Sequence, residues 1–522
     1  MRRRTLITLA AAALASGCSS LPGAPALPGA LPGALQALPD APLTAQQRLQ
    51  WLDRVTWGAN DSSDAGLQRL GLKAWLAQQL QLQDAPLPPQ AQQLIDALDI
   101  SRRSMQDIAS GLAAQRKAAQ QATGDEKTRL QQALQRQLNQ WGTEAQTRFV
   151  VRALYSPAQL REQMTWFWMN HFSVSLRKAD LRAWVGDYEE RAIRPHALGR
   201  LRDLLEASMR HPAMLRYLDN ASNAAGRINE NYARELMELH TMGVDGGYTQ
   251  ADVQELARIL TGVGVRLTPD DAPPRLRPAQ RDDYLRDGFF EFNPARHDYG
   301  PKTFLGRPMR QRGMAEVGEA LDRIAAAPAT ARFIARKLAV FFIADDPPAA
   351  LVQRTAEAFT RSNGDMAATL AALLAAPEAE RFGQKFRDPL HYVLAATRLS
   401  LDQRVATDVA PVLGWINRLG QNLYAHETPD GYPQMQSDWA GSGQMAARFE
   451  VARQMATRSA VLLRSDPRAP LEQPPYPTLS AMPSVRERLP QWSASTRAAL
   501  AQARSTADWN TYFLSAPEMM FR

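Results

Sequence analysis

The 522-residue chain has a single cysteine, Cys18. One thiol excludes an internal disulfide framework and any zinc site built on several thiolates, so a bound metal must be held by His, Asp, Glu or backbone oxygen. Lysine is scarce as well. Only seven of the 61 basic residues are lysine; the rest are arginines scattered among 53 acids, with a net charge of +8. Dispersed arginine does not make a nucleic-acid-binding stripe, and no nucleic-acid partner is expected. There is no His-Glu-x-x-His, no Gly-x-Ser-x-Gly and no Walker loop, which disfavours the well-marked protease, esterase and nucleotide-hydrolase classes but not an unmarked hydrolase. Ser175-Leu-Arg-Lys178 fits Ser-x-x-Lys, but Lys302-Thr303 is followed by Phe304 and no Ser-Asp-Asn occurs. Gly441-x-Gly443-x-x-Ala446 lacks a preceding strand, so no nucleotide motif remains. What is present is 45% hydrophobic residues interspersed with charge, enough for a folded body of two or three domains.

The first residues read as an export signal. Arg2, Arg3 and Arg4 precede a short apolar run from Leu6 to Leu14, too short for the about 20 residues that span a bilayer. Ala15-Ser16-Gly17-Cys18 resembles the cleavage site of a bacterial lipoprotein signal peptide, although Ala15 stands where such signals favour leucine. The resemblance implies cleavage after residue 17, lipid on Cys18 and a membrane partner reached through that anchor; the alternative is an ordinary signal peptide with an incidental cysteine. Arg3-Arg4-Thr5-Leu6-Ile7 is similar to a twin-arginine signal, the alternative being a plain basic segment. Both alternatives send the mature chain out of the cytoplasm, and the expected location is the periplasm or outer membrane.

Residues 18–43 read as a tether. Leu-Pro-Gly-Ala recurs at 21–24, 27–30 and 31–34, a composition that favours extended backbone and cannot build a core. The body is expected from 44 to 522, opening on a capping box at Thr44-Ala-Gln-Gln47. Helical spacing then dominates over 67–82, 94–141, 143–172, 181–209 and nearly everything from Met314 onward, with few β-branched runs. The class is mainly α, a multi-helix globular body. Residues 101–140, rich in Gln, Ala and Arg, predict an exposed helical hairpin broken near Thr123-Gly124. A loop or β-hairpin insertion is expected near 284–308, pairing Phe289-Phe290-Glu291-Phe292 with Lys302-Thr303-Phe304-Leu305 around His297-Asp298-Tyr299-Gly300.

The stretch from Asn229 to Gly262 carries the most chemistry. On a helix, Asn231, Glu235 and Glu238 fall within an arc of roughly 60° beside Arg234. Two carboxylates three apart can share a metal ion or a proton. The alternative is a solvated face with Arg234 and Glu238 as an i,i+4 pair. His240 lies off that arc and can join it only through a bend or the helix end. Asp245-Gly246-Gly247 makes a turn and Thr249 to Asp252 a capping box; Thr241 and Gly243 at the first ligand positions argue against a calcium loop.

Several blocks together resemble a bacterial family, the domain of unknown function numbered 1800: Trp168-Met-Asn-His171-Phe-Ser173, Ile193-Arg-Pro-His196-Ala-Leu-Gly199, Tyr217-Leu-Asp-Asn220, the Asn229–Gly262 run, His297-Asp298 with Lys302, and Ser515-Ala-Pro-Glu518. The resemblance runs from Leu49 to Arg522. It implies an exported, largely helical protein often found beside a sulfatase-like partner, and supplies neither an activity nor catalytic residues. It places Asn170, His171, Glu235, Glu238, His240, His297, Asp298 and Lys302 within the family signature.

Taken singly, His297-Asp298 in a loop suits acid–base work or metal ligation, or simple hydrogen bonding to backbone. His171 reads as a core histidine donating to a carbonyl, His196 and His211 as structural, and His391 and His426 as lacking a polar cluster. Two functions follow. One is an envelope hydrolase in which Glu235, Glu238, His297 and Asp298 converge, the carboxylates holding a divalent metal or activating water, with Asn170, His171, Asn231, Arg234, His240 and Lys302 as binding residues. The other is a non-catalytic scaffold for the sulfatase-like partner, its polar blocks serving as buried hydrogen-bond networks.

Overall fold

Local signals start and stop most helices. The computed structural model describes residues 33–82, 85–267, 274–463 and 477–522; the export signal, Cys18 and the first two Leu-Pro-Gly-Ala repeats lie outside them. The Thr44 capping box is formed, Thr44 and Gln47 exchanging side-chain and backbone hydrogen bonds ahead of helix Ala45–Val55. Gly71, at φ 76°, divides the expected 67–82 helix into Asp61–Leu70 and Leu72–Gln81. The predicted hairpin is Met105–Gln121 packed on Gly124–Tyr155, broken at 122–123. The second helix does not stop at 141. The single Gly142 costs the helix only about 1 kcal/mol and does not end it; it runs 32 residues, mostly exposed until Leu138 and then buried, and ends at Ser156 because the residue before a proline avoids the α region.

Helix Gln159–His171 is buried at every position, including Arg161, Glu162 and Gln163, and forms the spine of the body. The buried apolar side chains form one connected core rather than two or three. The fold is mainly α, as expected. The tether ends earlier than its composition suggests: Gly33–Ala37 makes a helical turn against helices Leu72–Gln81 and Met366–Leu374, with Leu35 fully buried. Leu35 and Leu38, three apart, give that turn one apolar face. At the other end Arg522 is buried, donating to the Phe341 carbonyl at 2.6 Å and to Gln163 Oε1 at 3.2 Å on the spine. Among the described residues no helix is long and apolar enough to cross a membrane.

The insertion is built differently from the expected hairpin. Strands β1 (Val263–Val265), β2 (Leu285–Asp287) and β3 (Phe290–Phe292) form an antiparallel sheet in the order β1-β3-β2, with Val263 opposite Phe292 and Leu285 also opposite Phe292. Strand β4 (Thr303–Phe304) pairs with β5 (Arg307–Pro308) and not with 289–292. Pairing is local because Leu305 and Gly306 both take positive φ, the geometry of a two-residue hairpin turn.

Two histidines depart from expectation. His391 sits in a charged core: its Nδ1 is 2.9 Å from Asp388 Oδ1, and burial, with Arg522 nearby, pushes it down to about 4. His426 Nε2 lies 3.0 Å from Thr428 Oγ1 and 3.3 Å from Asp430 Oδ1. Asp388 and Asp430 stand only three and four residues from these histidines, so both contacts lay within local range and were overlooked; only Arg522 is distant in sequence.

Candidate functional site

The spine helix ends on Asn170 and His171, and helix Asn231–Glu238 ends close by. Past Glu238 the backbone widens, the amides of Leu239 and His240 both reaching the Glu235 carbonyl, and this bend drops His240 into the core. His171 Nε2–H donates to the His240 carbonyl at 2.9 Å, with the rings 5.8 Å apart, so His171 takes the core-histidine role. The Nδ1 of His171 and both ring nitrogens of His240 are shut off from water with no hydrogen-bond partner among the described residues. Burial, reinforced by the Lys337 ammonium, holds His171 well below the ordinary histidine range and His240 down to about 3. Both rings are therefore neutral at pH 7.

Lys337 projects from helix Pro328–Phe342 with its ammonium 5.4 Å from the centre of the Phe333 ring. It makes no ion pair among the described residues; burial pulls it down to about 8, against the opposing pull of Asp430. Asp430 is presented by a loop fastened to the spine: Asn170 Oδ1 accepts from the Tyr432 amide at 2.7 Å, and Asn170 Nδ2 donates to the Tyr432 carbonyl at 2.9 Å. Gly431, at φ 75°, lies against the Asn170 carbonyl. Tyr217 closes the other side, its hydroxyl donating to the Glu427 carbonyl at 2.8 Å.

The Asp430 carboxylate acts electrostatically on Lys337, Glu235 and Tyr217 alike, so all three lie within reach of its charge. The Glu235 carboxyl is half-buried and held above the usual range by burial, then by Glu238 and Asp430, against Arg234. Burial and the Glu238 carboxylate push Tyr248 up to about 12. Arg234 is committed to Glu230 at 3.0 Å, Glu238 at 3.3 Å and Gln250 at 2.9 Å, the i,i+4 pairing that spacing allowed. Asn231 donates to the Leu218 carbonyl at 3.1 Å and fixes the helix start.

Sequence reasoning brought Asn170, His171, Asn231, Arg234, Glu235, Glu238 and His240 to this region and missed Lys337, Asp430 and Tyr217. One signal was available: Phe333, Lys337 and Phe341 recur at i,i+4, placing a rare lysine on an aromatic stripe. With its amine down to about 8, roughly half of Lys337 is unprotonated at pH 8, against well under ~1% for an ordinary lysine. Acetylation at pH 8 followed by peptide mass spectrometry should therefore label Lys337 roughly tens of times faster than exposed Lys117 and Lys127. Equal rates would remove it from the site.

His297 and Asp298 belong to a second network. His297 Nδ1 lies 2.7 Å from the Thr261 carbonyl, and its Nε2 faces Glu316 Oε2 across 3.3 Å. Lys302 Nζ donates to Glu316 at 2.8 Å and to the Asp298 carbonyl, with His297, Lys302 and Glu316 all buried. Asp298 is gripped by Arg258, Nε to Oδ2 at 2.8 Å, and the hydrogen bonds from that guanidinium hold its carboxyl below the usual range. Among the described residues no hydrogen bond or ion pair joins Glu235 or Glu238 to His297 or Asp298, and no three His, Cys, Asp or Glu side chains converge as metal ligands would. The expected four-residue convergence is thus replaced by two networks. Glu316, the carboxylate at the centre of the second, carried no motif.

Residues 50–521 match the family model described as protein of unknown function (DUF1800). No curated protein and no solved structure matches the chain.

Proposed function

We propose, for a chain that belongs to the DUF1800 family, that it is an exported, lipid-anchored envelope hydrolase acting through Glu235, Asp430, Tyr217 and Lys337, groups that share the field of the Asp430 carboxylate. One observation carries the reading: Asp430 acts on both a carboxyl raised above its ordinary range and an amine lowered below its own. Titratable groups pushed toward neutrality in one place mark acid–base sites. Glu235 supplies the proton to the leaving group, Asp430 takes the proton of the attacking water, and the Lys337 ammonium stabilises negative charge that develops between them. Glu238 is paired with Arg234 and Asp430 offsets Lys337, a near-balanced charge that favours a neutral polymer over a polyanion. Export and anchoring rest on Arg2–Arg4, the Leu6–Leu14 run and Cys18.

The test is release of soluble fragments from peptidoglycan and from neutral and amino polysaccharides by the purified protein. Glu235→Gln, which keeps the side chain's size, should lower turnover by about 10²–10⁴ with unfolding temperature nearly unchanged. Wild-type activity should decline as pH rises past the raised Glu235 pKa. No turnover on any polymer, or none lost in the variant, defeats the proposal.

A second reading is favoured by a different observation. Val244 is 72% exposed and Ile228 40% exposed, on either side of the Asn231–Glu238 helix. Exposed aliphatics beside an internally paired charge network suit a scaffold that docks the sulfatase-like protein.

A further inference from the structure

On the far side of the spine, under the exposed helical hairpin, a cleft of about 280 Å³ opens between the Met105–Gln121 and Gly124–Tyr155 helices and the π-helical turn Tyr188–Ile193. Its volume falls just below that of common ligand pockets, about 300–1,000 Å³, and suits a small ligand. Its lining includes the apolar side chains of Ile100, Ile108 and Trp141. It also includes five guanidinium groups, Arg103, Arg148, Arg152, Arg182 and Arg191, against two carboxylates, Asp187 and Glu190.

Those carboxylates are already committed. Glu190 takes Arg152 in a two-pronged grip, 2.6 and 3.0 Å, and lies 3.4 Å from Arg148 Nε; Asp187 holds Arg191 at 2.9 Å and His211 at 3.1 Å. Arg103 has its own partner, Asp99, at 2.7 Å and remains 53% exposed. Arg182 has none of this kind. Its hydrogen bonds go to neutral amides, Asn139 Oδ1 at 2.5 Å and Gln135 Oε1 at 2.9 Å, and its Nε has no acceptor among the described residues. Arg148 is buried, shares its carboxylate with Arg152, and donates to the Gly186 carbonyl. The cleft therefore combines surplus positive charge with apolar lining. Guanidinium is the side chain best matched to planar or tetrahedral oxyanions.

We infer that this cleft binds an anionic amphiphile, a ligand with a phosphate, sulfate or carboxylate head on the Arg182 side and a short alkyl or aromatic body against Trp141. The site is separate from the Glu235 site and does not rest on the hydrolytic reading.

Octyl phosphate, octanol and inorganic phosphate, titrated separately into the purified protein by calorimetry, test it. Octyl phosphate should bind at one site per chain, with octanol and inorganic phosphate each at least about tenfold weaker, since head and body both contribute. Arg182→Gln should weaken octyl phosphate about tenfold, one charge-assisted contact at 1.4 kcal/mol per decade. If that variant melts early, Arg103→Gln, at an exposed side chain, takes its place with the same direction of effect. Inorganic phosphate binding as tightly as octyl phosphate overturns the amphiphile; no saturable binding, or binding indifferent to both variants, overturns the site. Phosphatidylglycerol vesicles that compete with octyl phosphate would identify a membrane lipid as the source, and vesicles that do not compete a soluble ligand.

Discussion

Gly431→Ala should detach the loop that carries Asp430 and cost about 3 kcal/mol. At φ 75° an L-residue pays about 1–2 kcal/mol of backbone strain. The added methyl would also overlap the Asn170 carbonyl oxygen and come within 2.8 Å of Asn170 Oδ1, and such overpacking costs about 1–3 kcal/mol. The backbone of Asn170 cannot yield, because it closes the buried spine helix. The loop must move instead, and with it the two hydrogen bonds between Asn170 and Tyr432. Amide exchange at Tyr432 should accelerate while the spine stays protected, and Glu235-dependent turnover should fall with it. Gly383→Ala is the control: φ is 72° there but nothing lies within 4 Å, so only the strain of about 1 kcal/mol remains. Equal effects at the two glycines would show that the Asn170 contact does not hold the loop.

The second large effect is expected at Asp53. Its carboxylate is buried, accepts from the Ala59 amide at 2.9 Å, and pairs with Arg488 at 2.6 Å and Arg387 at 3.0 Å. Asp53→Ala leaves two guanidinium groups facing each other in the interior, and breaking a buried pair in this way costs about 3–5 kcal/mol. The intact cluster is worth less than that, since burial drags Arg387 down even as Asp53 holds it up. Burial alone would raise the Asp53 carboxyl; Arg488 and Arg387 outweigh it and hold the group down to about 2. A carboxyl lowered on folding stabilises the protein above its unfolded pKa, near 3.9, and that stabilisation disappears as pH falls through about 2. The shift corresponds to about 2 kcal/mol. Denaturant titrations between pH 5 and 2 should show wild type losing this amount and Asp53→Ala, already destabilised, not losing it. Parallel pH dependence in the two proteins would place the acid sensitivity elsewhere.

Legibility followed the range of the interactions. The caps at Thr44 and Thr249, the hairpin break near 123 and the Arg234–Glu238 pair were all readable, because each depends on residues three or four apart whose geometry the backbone fixes. The bend that buries His240 was readable only as a condition. Strand pairing in the insertion was misjudged, because β3 has apolar residues that suit any partner and the choice fell to local turns at Gly288 and Leu305-Gly306. Lys337 and Asp430, 93 positions apart, come within electrostatic reach of each other because Asn170 fastens the Asp430 loop beside the spine. His297 and Asp298 looked like partners for Glu235, but Glu316 and Arg258 satisfy them first.

The sequence by itself determined the mainly helical class, the capping boxes at Thr44 and Thr249 and the family to which the chain belongs, because propensity, capping and motif spacing are short-range properties written along the chain. Only the tertiary structure decided which charges are neighbours. In this arginine-rich chain almost every acid has a candidate partner, and burial selects among them, pairing most of the buried carboxylates and leaving Lys337 without an ion pair among the described residues.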